Sequence, residues 1–133
     1  MIPMGALRGR VVLVAGAGVS GRSAAEALLA AGASVTVTDA SAERLDALEP
    51  LRDQGARLVA GLEVPPAGTD LLVTSPGWRP EAPLLASAET AGVEVIGEVE
   101  LAWRLDQDKP HPSVWLAVTG TNGKTTTVRL LEA

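Results

Sequence analysis

Short apolar runs alternate with segments of helical periodicity from one end of the chain to the other, the pattern of a parallel sheet wrapped by helices. The run Val11 to Ala15 is apolar at consecutive positions, as a strand buried on both faces requires, and predicts the first strand. Gly21, Ala24, Ala25, Leu28 and Ala31 then recur at helical spacing with Arg22 and Glu26 on the opposite face, and Gly32 closes that helix. Val35 to Thr38 predicts a second strand. Ser41 is placed to cap a helix carrying Leu45, Leu48 and Leu51, which Pro50 should shorten or distort. Arg57 to Ala60 reads as a weaker third strand and Asp70 to Thr74 as a fourth, with Pro65, Pro66 and Gly68 in the loop between them. A helix with Pro83 near its first turn should end at Gly92, ahead of a fifth strand from Val93 to Ile96. These elements predict an α/β unit over 1–97, a five-stranded parallel sheet with flanking helices. Gly97 marks the expected boundary. Glu98 to Leu105 reads as a separate helix, and Asp106 to Pro112 as a polar, proline-containing connector into an apolar run, Val114 to Val118, so that 98–133 would open a second domain.

Composition narrows the choice of ligand. A chain of 133 residues has room for one full domain and the start of another. Phe and Tyr are absent and Trp78, Trp103 and Trp115 are the only aromatics, so stacking platforms for single-stranded nucleic acid are not expected. The net charge of -5 argues equally against a nucleic-acid backbone as general partner. Anionic ligands must therefore be gripped locally, by loops. The absence of cysteine excludes disulfides and thiolate chemistry, and the single histidine, His111 between two prolines, reads as a linker residue. Arg8 and Arg10 before an apolar stretch ending Ala15-Gly16-Ala17 mimic a signal peptide, but the stretch is too short for one. No run approaches the length of a membrane span, and a cytoplasmic location is expected.

Two glycine loops carry the candidate chemistry. Gly16-Ala17-Gly18-Val19-Ser20-Gly21 is a GxGxxG that follows a strand, opens a helix and is succeeded by Asp39 at the end of the second strand. In that context it predicts a nucleotide diphosphate site: Gly16 for the tight turn, Gly18 for close approach of a diphosphate, Gly21 for helix-to-sheet packing. Glycines serving packing alone are the competing reading. Asp39 would accept hydrogen bonds from ribose hydroxyls in a nicotinamide enzyme, or be a solvated strand-end carboxylate. The second loop is Gly120-Thr121-Asn122-Gly123-Lys124-Thr125-Thr126, where backbone N–H groups can converge on phosphate oxygens, Lys124 adds a positive charge and Thr125 offers a hydroxyl to magnesium. It departs from GxxxxGK[ST], because Val118 stands where the first glycine belongs, and a solvated lysine at a helix start is the alternative. Ser75-Pro76-Gly77, just past the fourth strand, reads equally as a tight turn or as part of a ligand edge. Trp103, beside Leu101 and Leu105, is expected to pack rather than bind.

Together, Val14 to Gly21, Thr74 to Gly77, Val95 to Leu101 and Val118 to Thr126 resemble the Mur ligase family along essentially the whole chain, and within it the branch that adds D-glutamate. The branch that adds L-alanine usually carries histidine where this chain has Asn122. The resemblance implies a Rossmann-like first domain that binds the UDP part of a substrate rather than NAD. Gly18, Val19 and Ser20 would meet the diphosphate, Asp39, Ala40 and Ser41 would lie near the uracil, and Gly77 near the muramoyl portion. Ala40 and Ser41 fall where some members have longer polar or basic side chains. The second domain would be the truncated start of a P-loop ATPase domain, binding ATP and Mg2+ through Gly120 to Thr126, with Lys124 stabilising the transferring phosphoryl group and Thr125 on the metal. The implied activity is that of an ADP-forming ligase that activates UDP-N-acetylmuramoyl-L-alanine as an acyl phosphate for attack by D-glutamate, in peptidoglycan precursor synthesis. A monomer is expected for the full-length enzyme, and the 133-residue chain is expected to be inactive alone because other catalytic groups of the family are absent from it. A nicotinamide-binding regulatory module, the L-alanine-adding sibling and a non-catalytic interaction domain are the alternatives.

Overall fold

The computed structural model describes residues 7–75, 78, 79 and 81–107; Gly77, His111 and the second glycine loop, Gly120 to Thr126, lie outside the described residues. Strands β1 (Val11–Ala15), β2 (Ser34–Asp39), β3 (Arg57–Ala60), β4 (Leu71–Thr74) and β5 (Glu94–Gly97) form one sheet in the order β3-β2-β1-β4-β5. Every pairing in it is parallel. The chain runs outward from β1 through β2 to β3, then crosses back over β1 to lay down β4 and β5, so the order reverses between β1 and β4.

Helices α1 (Val19–Ala30), α2 (Ala42–Asp46), α3 (Pro83–Thr90) and α4 (Glu98–Gln107) surround the sheet. The consecutive apolar residues of β1 divide between its faces. Val12 and Val14 join Leu28 of α1, Val35 and Val37 of β2 and Leu101 of α4 in one core, while Leu13 and Ala15 meet Leu72, Leu84 and Ala88 in the other. Each large apolar side chain buried this way contributes about 1.5–3 kcal/mol before conformational entropy is counted.

Ser41 does cap α2, its hydroxyl accepting from the Arg44 N–H at 3.4 Å. The predicted Leu45–Leu51 helix is split, because Pro50 starts a separate 3-10 turn, Glu49–Gln54. The fifth strand sits one residue later than its apolar run suggests. The Val93 N–H is held by the Ala88 carbonyl at the end of α3, while Gly97 pairs with Thr74 and completes the ladder.

β5 passes into α4 without a loop, and α4 folds back over the sheet with Leu101 only 2% exposed. Trp103 does not pack as expected: it is 42% exposed, on the side of α4 away from Leu101. An ion pair fastens the helix. Arg104 donates from Nη1 and Nη2 to the two carboxylate oxygens of Glu94, both at 3.0 Å, and its Nη2 lies 3.3 Å from Glu100. The hydrogen bond to Glu94, with the charges of Glu94 and Glu100, raises the Arg104 pKa against the opposing effect of burial. The guanidinium therefore stays charged at every pH the fold tolerates. Arg104→Ala is expected to lower stability by about 2 kcal/mol, less than a fully buried pair would cost because Glu94 regains water. Urea unfolding measures this, and a loss under about 0.5 kcal/mol would mean that apolar packing alone holds α4.

Candidate functional site

The carboxyl ends of β1, β2 and β4 open onto a cleft of about 700 Å³, lined among others by Gly18, Ser20, Asp39, Arg44, Ser75 and Trp78. It lies where the strand order reverses, the place where open parallel sheets leave a crevice. Its floor is the first glycine loop. The Gly16 N–H continues the ladder to the Thr38 carbonyl at 2.8 Å, and Gly16 then turns with φ at +114°, where a side chain would be strained and would collide with the Ser75 hydroxyl. Gly21 is needed for a different reason. A Cβ there would run into the Gly16 carbonyl oxygen, so the helix can approach the loop only without a side chain.

Gly18 has no such internal demand. A Cβ built on it meets nothing within 4 Å among the described residues, and its φ of -79° suits any residue. It forms the N-cap of α1 without a side-chain cap, so the first N–H groups of the helix, at Val19 and Ser20, face the cleft with no side-chain acceptor from the cap. Partial positive charge gathers there. Arg44 and Arg79 also line the cleft, together with Asp39 and Glu81.

Asp39 is 8% exposed and works as a tie between loops. Its Oδ2 accepts from the Ala17 N–H at 2.9 Å and its Oδ1 from the Ser41 N–H at 2.8 Å, so one carboxylate holds the glycine loop to the turn after β2. Each oxygen keeps a second lone pair for a ligand. Ala40 and Ser41 lie beside it, and Arg44, in the first turn of α2, brings a guanidinium to 3.9 Å from Asp39 Oδ2. Sequence reasoning missed Arg44. Its signal was the spacing of three from the capping Ser41, which puts it in the first helical turn over the cleft. Ser75 is engaged by the protein itself, its hydroxyl donating to the Ala15 carbonyl at 3.2 Å. Trp78 and Arg79, also unforeseen as site residues, extend the β4 edge. A second hollow of about 510 Å³ adjoins it, lined by Thr74, Trp78, Leu85, Val93, Ile96 and Gly97 among others.

A parallel sheet of this order, with a GxGxxG turn and a strand-end acid meeting at its switch point, defines a Rossmann-like α/β domain. The profile of the "Mur ligase MurD-like, N-terminal domain" family matches residues 10–97, and the chain belongs to that family. It is 59% identical over 130 residues to the UDP-N-acetylmuramoylalanine--D-glutamate ligase of Thermobifida fusca, covering 96% of this chain and 27% of that protein. The protein of the same name from Streptomyces coelicolor is 53% identical over 133 residues, covering 94% of this chain and 27% of its own length. The chain thus spans about a quarter of the length of the curated relatives it matches, 27% in both cases. Among solved structures, the TrkA-N domain of the inner membrane protein ybaL from Escherichia coli superposes with a TM-score of 0.51 over 96% of this chain and 97% of that one. Its 19% identity makes this a likeness of fold. Among the described residues, no helix is long and apolar enough to cross a membrane.

Proposed function

We propose that this domain holds the UDP portion of UDP-N-acetylmuramoyl-L-alanine, within a cytoplasmic ligase that joins that substrate to D-glutamate using ATP. The observation that carries the reading is Gly18: a glycine that none of the described residues requires, at a helix N-terminus without a side-chain cap, on the floor of a cleft at the switch point. Such a residue makes sense when a ligand occupies the missing Cβ volume. The diphosphate would lie on the Val19 and Ser20 N–H groups. The uracil would extend toward Asp39, Ala40 and Ser41, with Arg44 supplying the basic side chain that positions 40 and 41 lack. Gly77 would border the sugar end.

Gly120 to Thr126 would bind ATP, with Lys124 on the transferring phosphoryl group and Thr125 on its magnesium ion, on the strength of the sequence pattern and the family relationship. A division into 1–97 and 98–133 belongs to the same proposal, although the burial of Leu101 favours counting α4 with the first unit as a packed body.

Calorimetric titration of the chain with UDP-N-acetylmuramoyl-L-alanine and with NAD tests the reading. Selective heat with the UDP-sugar is expected, and selective heat with NAD would replace it with a nicotinamide-binding module. Gly18→Thr sharpens the test. Threonine caps a helix about as well as glycine, so stability should change by no more than about 0.5 kcal/mol. Its side chain would stand where the diphosphate must lie, and affinity for the UDP-sugar should fall at least about tenfold.

A further inference from the structure

We propose that Trp78 is the sugar-binding wall of this site, its indole face receiving the pyranose ring that the diphosphate carries. The inference rests on the UDP-sugar reading above and adds to it a residue and a direction. A UDP-sugar is a linear sequence of base, ribose, diphosphate and sugar. With the diphosphate on the α1 N-terminus and the base on the β2 side, the sugar must leave across β1 toward β4. Trp78 stands there, lining both the glycine-loop cleft and the hollow over β4 and β5.

The indole has a seat of its own in the protein, against the apolar cluster under the β4 edge. The Trp78 backbone N–H donates to the Ser75 carbonyl at 3.2 Å, and the side chain packs against the cluster of Leu13, Leu72, Leu84 and Leu85. Its Nε1 lies 3.2 Å from where a Gly16 Cβ would stand, so the absence of that side chain admits the ring over the loop. Trp78 is half-buried, and its Nε1 edge lies beside Gly16 at the glycine-loop cleft. In a chain without Phe or Tyr, it is the one aromatic among the described residues that line either hollow.

That chemistry suits a sugar. The π face carries negative partial charge and meets the C–H face of a pyranose, while the hydroxyls stay at the rim. The apolar side of the second hollow, Leu85, Val93 and Ile96, suits the N-acetyl methyl group. A rigid wall costs little entropy on binding.

The test compares wild type with Trp78→Phe, Trp78→Leu and Trp78→Ala by calorimetry, using UDP-N-acetylmuramoyl-L-alanine and UDP as titrants. Leucine and alanine should weaken the UDP-sugar about five- to tenfold, and phenylalanine no more than about threefold. Affinity for UDP should stay within about twofold throughout, which also reports that each variant is folded; should alanine fail that control, leucine carries the comparison. Unchanged UDP-sugar affinity in the leucine variant overturns the role of Trp78 alone. Equal losses for UDP and UDP-sugar overturn it too, reducing Trp78 to a support for the loop. A wild-type chain that ignores the UDP-sugar overturns the underlying substrate assignment and this inference with it.

Discussion

Gly21→Ala should destabilise the domain by about 2–3 kcal/mol, enough to lower the melting midpoint by roughly 10 °C. Alanine is normally the better helix residue by up to about 1 kcal/mol, so the sign of the effect is itself diagnostic. The cause is the collision of the new Cβ with the Gly16 carbonyl oxygen. That oxygen cannot give way as a flexible side chain would. Gly16 is pinned by its N–H bond to Thr38 at 2.8 Å, and the next residue by the Ala17 bond to Asp39 at 2.9 Å. The helix must retreat instead, drawing Ala24, Ala25 and Leu28 out of contact with β1 and β2. Retreat also moves the Val19 and Ser20 N–H groups, so UDP-sugar affinity should fall with stability, whereas Gly18→Thr should lower affinity alone. Thermal unfolding of both variants checks the contrast. A Gly21→Ala protein as stable as wild type would show that the helix does not depend on this close approach.

Asp39→Asn is expected to cost about 3 kcal/mol, almost as much as Asp39→Ala. The reason is donor and acceptor count. Both partners of the carboxylate, the Ala17 and Ser41 N–H groups, are donors. An amide offers one acceptor and one donor, so asparagine can satisfy one partner and must present an N–H to the other. Alanine leaves both unsatisfied but adds no repulsion. If Asp39 served only a ligand, both variants would melt like wild type and differ only in affinity. Urea unfolding without ligand separates the two roles, and a loss below about 0.5 kcal/mol for Asp39→Asn would refute the tie between loops.

The elements of the sheet were legible because their signals are local. Consecutive apolar residues at Val11 to Ala15, the helical spacing of Ala24, Ala25 and Leu28, the cap at Ser41 and the break at Pro50 each depend on a few neighbours along the chain. The glycine loop was legible for the same reason, since a strand, a GxGxxG and a helix follow one another directly. The family relationship pointed to the proposed UDP-sugar ligand, which periodicity could not reach.

What lay beyond the sequence was every property set by residues far apart in the chain. Asp39 could be placed at the end of a strand, but its hold on Ala17, 22 positions away, exists only once β1 and β2 are side by side. The helical pattern from Glu98 to Leu105 was readable, yet its attachment depended on Arg104 reaching Glu94 at the start of β5 and on which face of α4 the sheet would cover, the choice that buried Leu101 and left Trp103 in solvent. Arg44 and Trp78 entered the cleft only because β4 pairs with β1 on the side away from β2, bringing the loop after β4 opposite the turn after β2. Local composition determines where strands and helices form; the order in which strands pair determines which of their ends share a cleft.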